Sequence, residues 1–191
     1  MYLVVGLGNP GREYGDNRHN IGFLVLDQLC QRWRVPALRS KFGGQVEKVE
    51  AAGQTVVLLK PMEFMNLSGQ ATQRTAAFYQ VEARRIVVIH DDIDLDFGRV
   101  KVKVGGGHGG HNGLRSLSEH LGPDYVRVRC GVGHPGDKSR VVGHVLGPFS
   151  KVEQKELPFF LDAAAEAVET ILRRGTTAAM NQLNSDRGSA S

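Results

Sequence analysis

Cysteine, aromatic residues and long apolar runs are all scarce in this 191-residue chain. There are two cysteines: Cys30 falls in a helix-like apolar pattern and Cys130 in a strand-like one. Both read as small core residues of a reducing compartment, which rules out a disulfide scaffold. No stretch approaches the ~18 uninterrupted apolar residues of a membrane span. The start, MYLVVGLGNPG, lacks the basic end, apolar core and cleavage site of a secretory signal, so the expected location is the cytoplasm. Aromatics are 7% of the chain, which leaves no evident stacking platform for reading single-stranded bases. Neither sign of charge dominates: 24 Lys+Arg against 20 Asp+Glu give a formal +4 at pH 7. That balance admits an anionic partner without requiring one.

What remains is an ordinary globular composition, 41% hydrophobic and 23% charged, at a length that suits one domain. Tyr2 to Leu7 reads as a buried strand, Ile21 to Trp33 as an amphipathic helix with Asn17 or Asn20 as N-cap, and Gly43–Glu50 with Thr55–Leu59 as a hairpin stopped by Pro61. Leu67 to Tyr79 reads as a second helix and Ile86 to His90 as a short buried strand running into Asp91, Asp92 and Asp94. Val100–Val104 and Tyr125–Cys130 alternate as strands around a glycine loop and a short helix from Leu114. Val152 to Arg174 is a long helical pattern interrupted by Pro158, followed by a last helix near Thr177–Leu183. With no repeat or linker, the expectation is a single α/β domain over residues 1–184 on a twisted mixed sheet flanked by helices, with a disordered tail at 185–191. Ligands of such sheets gather at the carboxyl ends of strands.

The unusual polar residues fall at those ends. Gly6-Leu7-Gly8-Asn9-Pro10-Gly11 matches GxGxxG formally, but Pro10 and the following turn residues delay the helix to about residue 20, and no acidic residue answers at the second strand. The dinucleotide reading is therefore weak; a tight turn presenting Asn9 survives. His19 precedes the first helix, and Asp91 is placed to orient it, as a carboxylate orients a base that activates a nucleophile or water. Gly105 to Gly113 is mostly glycine with His108, His111 and Asn112, a composition suited to close approach of backbone to a ligand. The chain has no G-x-S-x-G elbow, and the cysteines sit mid-element, so a hydrolase built from these residues activates water. Asn9, Asn66 and Asn112 are candidate N–H donors to a carbonyl or oxyanion, with an N-cap role as the alternative for Asn66. If the strands at 100–104 and 125–130 pair, Lys101, Lys103, Arg127 and Arg129 line one face, with Lys138 and Arg140 shortly after. That face is either solvated or a phosphate-backbone surface.

The strings GLGNPGREYGDNRHNIGF, KPMEFMNLSG, HDDIDLDFG, GGGHGGHNGLRS and RVRCGVGHPGDKSRVVGHVLGPF, in this order and spacing, resemble the bacterial-type peptidyl-tRNA hydrolases over residues 1–184. The resemblance implies a monomeric, metal-independent and cofactor-free esterase. Its substrate would be peptidyl-tRNA, cleaved between the peptide and the terminal ribose so that tRNA from stalled translation is recycled. By the same resemblance His19 is the general base and Asp91 its orienting carboxylate. Asn9 holds water or ester, and Asn66 and Asn112 bind the peptide end and stabilise the oxyanion. Tyr14, Phe64, Met65 and His111 match cleft-lining positions. Lys103 and Arg129 match a clamp on the tRNA 5′-phosphate, with Lys138 on the same basic side. Two other readings stay open: a metal-dependent phosphodiesterase using His90, His108, His111 and the aspartates, and a non-catalytic tRNA-binding module.

Overall fold

The computed structural model describes residues 1–185, so the tail expected at 185–191 lies, from residue 186 on, outside the described residues. Seven strands form one sheet: β1 (Tyr2–Gly6), β2 (Arg39–Lys41), β3 (Gly44–Ala51), β4 (Gln54–Pro61), β5 (Ile86–Asp92), β6 (Val100–Val104) and β7 (Val126–Gly131). Their order is β2-β3-β4-β1-β5-β7-β6. The central strands β4, β1, β5 and β7 run parallel, and β2, β3 and β6 are antiparallel additions at the two sides. The sheet is mixed, as the alternation of helical and strand patterns predicts.

Buried runs such as Leu3-Val4-Val5 and Ile86-Val87-Val88-Ile89 mark strands covered on both faces. Alternate residues feed two cores. Val4, Leu58, Val87 and Val128 pack with α1 (Ile21–Arg32), α5 (Lys151–Arg174) and α6 (Thr176–Leu183) on one face. Leu3, Val5, Leu59 and Val88 pack with α2 (Ser68–Tyr79) and α3 (Asn112–Leu121) on the other. A short α4 (Val141–Val145) precedes α5. Asn184, at the end of α6, accepts from the Val102 N–H at 3.0 Å and donates to its carbonyl at 2.7 Å, so its side chain completes the open edge of β6.

Two expectations are corrected. Pro158 does not interrupt the long helix, which runs unbroken through it. The carbonyl that Pro158 leaves without its helical donor belongs to Gln154, an exposed residue, so the missing bond falls on the solvent side of the helix. A capping box between Ser150 and Glu153 holds the helix start, and Ala164, Ala165, Val168, Ile171 and Leu172 bury the rest. Asn20 stands at the N-cap position of α1, yet its side chain makes no capping bond.

One glycine sets the position of the site. A Cβ on Gly22 would strike the backbone of Leu7 and the Ile89 carbonyl. Only glycine lets the first turn of α1 settle onto the ends of β1 and β5, which brings the residues just before α1 beside Asp91.

Candidate active site

Asp91, 3% exposed, sits near the carboxyl end of β5 and accepts from two imidazoles. His19, in a 3-10 turn (Arg18–Asn20) leading into α1, places Nδ1 2.9 Å from Oδ1 and 2.8 Å from Oδ2. His111 places Nε2 2.8 Å from Oδ1. The rings of His19 and His111 lie 4.8 Å apart, tilted by 50°.

The tautomers follow from the partners. His111 is the N-cap of α3: its Nδ1 accepts from the N–H groups of Gly113 (3.1 Å) and Leu114 (3.2 Å). An accepting Nδ1 puts the proton of the neutral ring on Nε2, which donates to Asp91. His19 likewise donates Nδ1–H to the carboxylate, leaving Nε2 as a free lone pair at the cleft. Burial lowers the proton affinity of His19, but the charge and hydrogen bond of Asp91 outweigh it, and the net shift is upward from the ordinary imidazole value. For Asp91, burial favours the neutral acid, yet the two histidines prevail and hold its pKa well below the carboxylate range. His90, which donates Nδ1–H to the Asp91 carbonyl at 2.8 Å, is pushed down to about 4 by burial and by His111, so it is neutral at physiological pH.

Asn9 is anchored at one end. Its Oδ1 accepts from the Met65 N–H at 2.8 Å, which leaves Nδ2 as a donor facing the cleft. Its backbone is fixed by Asn20: the Asn9 N–H donates to Asn20 Oδ1 (2.8 Å) and Asn20 Nδ2 donates to the Asn9 carbonyl (2.9 Å). The base and the amide donor are therefore tied through adjacent residues, 19 and 20. Asn66 lies in the 3-10 turn Met65–Leu67 and makes no capping bond. Asn112 is the first residue of α3. Among the described residues, neither side-chain amide has a protein partner.

These groups line one cleft of about 670 Å³, together with Phe64, Met65, Lys103 and Arg129. Val141, Val142, Val145 and Leu146 of the α4 segment form an apolar wall that the sequence reading missed. That segment is tied to the turn that carries His19: Arg18 donates to the His144 carbonyl (3.0 Å) and pairs with Glu153 (2.9 Å), and the Arg18 N–H donates to the Gly147 carbonyl (3.0 Å). Tyr14 and Lys138 are not brought to the cleft wall. Tyr14 closes the 3-10 turn Arg12–Tyr14, and Lys138 opens an exposed one at Lys138–Arg140. The two cation-bearing strands do pair, Lys101 opposite Arg129 and Lys103 opposite Arg127. Arg127, however, is 3% exposed, withdrawn beneath the glycine loop, so three cations face the outside and not four. Arg129 donates Nε–H to Asp92 at 2.8 Å.

His19, Asp91 and His111 have the composition of a metal triad. The donor set does not fit one. A metal-bound imidazole offers a bare nitrogen while its other nitrogen donates outward. In His111 the other nitrogen already accepts from two helix N–H groups, so binding a cation at Nε2 would require an imidazolate. His108, the remaining histidine of the glycine loop, accepts from the Gly110 N–H at 3.0 Å. Burial drives the Cys130 thiol far above its usual range, leaving it inert as a nucleophile.

A family model described as peptidyl-tRNA hydrolase matches residues 3–190. A peptidyl-tRNA hydrolase of Rhodospirillum centenum is 53% identical over 168 residues, covering 87% of this chain and 74% of its own. One from Sorangium cellulosum is 48% identical over 187 residues, covering 96% and 84%. The crystal structure of a peptidyl-tRNA hydrolase from Acinetobacter baumannii superposes with a TM-score of 0.91 at 42% identity, covering 97% of this chain and 95% of that one.

Proposed function

This chain belongs to the peptidyl-tRNA hydrolase family, and we propose that it hydrolyses its peptidyl-tRNA substrate with a water molecule deprotonated by His19. The observation that carries this reading is the pair of contacts from His19 Nδ1 to both oxygens of Asp91, which leaves Nε2 as the basic atom at the cleft. Nε2 takes a proton from water as the oxygen attacks the ester carbonyl. The oxyanion accepts from Asn9 Nδ2 and Asn112. Collapse expels the ribose oxygen, which recovers the proton from His19. Asp91 stabilises the imidazolium between these events, and His111 keeps Asp91 in register. A positioned base contributes about 10²–10⁴-fold, and each oxyanion donor about 10²–10³-fold.

Asn66, Phe64 and Met65 hold the peptide side. Lys103 and Arg129 take the 5′-phosphate of the acceptor end, and Lys138 adds to the field from outside the cleft. The catalytic domain is residues 1–184, acting as a monomer. Two free cysteines suit a cytoplasmic setting, and among the described residues no helix is long and apolar enough to cross a membrane. The test is incubation with N-acetyl-aminoacyl-tRNA, scoring ester loss, with the His19→Ala variant and a chelator-dialysed sample alongside. Loss of about 10²–10⁴-fold in the variant and none on chelation is expected. Near-wild-type turnover by His19→Ala would overturn the assignment.

A further inference from the structure

The glycine loop holds a buried cation that the reaction does not use. Arg127 donates Nη2–H to the Gly106 carbonyl at 2.7 Å and Nη1–H to the Gly107 carbonyl at 2.5 Å. Its guanidinium lies over the Tyr125 ring, 4.7 Å from the centroid, and the Tyr125 hydroxyl donates to the Leu114 carbonyl of α3 at 3.2 Å. Among the described residues, the buried Nε–H of Arg127 has no hydrogen-bond partner. Leaving a buried donor unpaired costs stability, so the fold holds this side chain where it is at some expense.

A trans peptide is planar, and its N–H points opposite to its C=O. The carbonyls of Gly106 and Gly107 both turn inward to Arg127. The N–H groups of Gly107 and His108, in the same two peptide units, therefore turn outward. Among the described residues no group accepts from them, and residues 106–110 are exposed. The reversal needs left-handed backbone at Gly105 (φ 69°) and Gly106 (φ 101°), which glycine supplies. Two successive outward amides form a concavity suited to an anion. The ammonium of Lys103 sits beside Gly106, where a Cβ would meet Nζ at 2.7 Å, and Lys103, Gly107, His108 and Arg129 line the same cleft as His19.

We propose that the N–H groups of Gly107 and His108 bind a phosphodiester of the tRNA acceptor end, and that Arg127 is the positioning residue that turns these two peptide planes toward it. The proposal rests on peptidyl-tRNA being the substrate. Arg127, 3% exposed at the wall of the same cleft, acts through the loop, as a rigid fork beneath it. A lysine at 127 keeps the charge but has no planar fork to hold two carbonyls at once.

Two measurements test it. In the first, Arg127→Lys and wild type hydrolyse an N-acetyl-aminoacyl ester carried on a CCA trinucleotide and the same ester on adenosine alone. Hydrogen bonds to a charged phosphate predict that the ratio of kcat/KM, trinucleotide over adenosine, falls about tenfold or more in the variant. The salt dependence should stay that of wild type, because amides release no counterions. An equal fall on both esters, or no fall, overturns the proposal. In the second, ¹⁵N-labelled full-length protein is titrated with unacylated CCA trinucleotide and, separately, with inorganic phosphate. Shifts of the Gly107 and His108 amides with the trinucleotide, absent in Arg127→Lys, are expected. Silence of these two amides, or shifts with phosphate but not with the trinucleotide, overturns it. Failure of wild type to release peptide from either ester would instead count against the hydrolase reading, and the titration is read independently of that.

Discussion

Replacing Asp91 by asparagine preserves shape and removes one charge, and the structure dictates which way the new amide must face. His111 cannot yield: its Nδ1 is held by the Gly113 and Leu114 N–H groups, so its Nε2–H needs an acceptor where Oδ1 now stands. The amide oxygen is drawn there. The NH₂ then occupies the Oδ2 position, 2.8 Å from His19 Nδ1. The amide oxygen stays 2.9 Å from Nδ1, but an NH₂ at 2.8 Å faces the Nδ1–H, and relieving that repulsion moves the His19 proton to Nε2, the atom that accepts one from water in the proposed mechanism. A base locked in the wrong tautomer costs about 10⁴ in the Ser-His-Asp hydrolases, equivalent to about 5 kcal/mol of barrier. A comparable loss in kcat, with KM little changed, is expected for Asp91→Asn.

The reasoning makes a sharper demand of the double variant. His111→Ser keeps a good N-cap for α3 but cannot reach residue 91. By itself it should lower kcat about tenfold, through loss of a charged hydrogen bond to Asp91. Combined with Asp91→Asn it frees the amide to turn its oxygen toward His19 Nδ1–H, so the double variant should be about tenfold more active than Asp91→Asn alone. The assay is single-turnover release of N-acetyl-aminoacyl groups from tRNA at saturating enzyme, with circular dichroism confirming the fold. If the two losses simply multiply, the tautomer argument is wrong.

Three other outcomes are expected. In wild type, kcat/KM should rise with pH through a single ionisation lying above the ordinary imidazole value of about 6.5, because Asp91 raises the His19 pKa; in Asp91→Asn any remaining inflection should move down, and a profile flat from pH 5 to 9 would remove His19 as the base. The same shift links to stability: the His19 contribution is present in full below about 6.5 and is lost as pH rises through the raised value, whereas that of Asp91 is present above the ordinary carboxylate range and lost as pH falls through its depressed value. Lys103→Ala should raise KM and make the slope of log(kcat/KM) against log[salt] shallower by about 0.7–0.9, while an unchanged slope would place the phosphate contact elsewhere. Asn20→Ala strands the buried N–H and carbonyl of Asn9, and urea unfolding should show a loss of about 2 kcal/mol or more; a loss under about 0.5 kcal/mol would mean that Asn20 does not hold the Asn9 turn.

Much of the fold is legible because burial on both faces writes itself as continuous apolar runs, and the hairpin β3–β4 carries its turn at Ala52-Gly53. The strand β2 is three exposed polar residues, Arg39-Ser40-Lys41, with no periodicity to detect. The helix α4 is five residues long and contains a glycine. Its position rests on contacts to Val132 and to Arg18, the latter far away in sequence. In the site, residue types pointed to His19, Asp91 and the asparagines, but not to their division of labour. Asn20 looks like a helix cap and instead grips Asn9. His111 looks like a loop residue because α3 reads as starting at Leu114; it starts two residues earlier, which makes His111 the cap. Arg127 looks exposed by strand alternation, and only the path of the glycine loop covers it.

The same constraint explains why the groups assigned to chemistry and those assigned to binding differ in how they are held. An imidazole or a carboxamide has two unlike ends, and fixing one decides what the other can offer. Asn9 gives its acceptor to Met65 and is left with a donor; His19 gives its N–H to Asp91 and is left with a lone pair. His111 spends both ends, on α3 and on Asp91, and so serves position alone. Asn66, without a protein partner among the described residues, keeps both ends free and can adapt; Asn112, likewise unpartnered, is the second oxyanion donor of the proposed mechanism and takes its direction from the substrate, beside the pre-set Asn9. A reacting atom needs a donor or acceptor whose kind and direction are set before substrate arrives. A peptide whose sequence varies from one tRNA to the next is better met by an amide that can turn over, which agrees with the proposed roles of Asn66 on the variable part of the substrate and of Asn9 on the invariant ester.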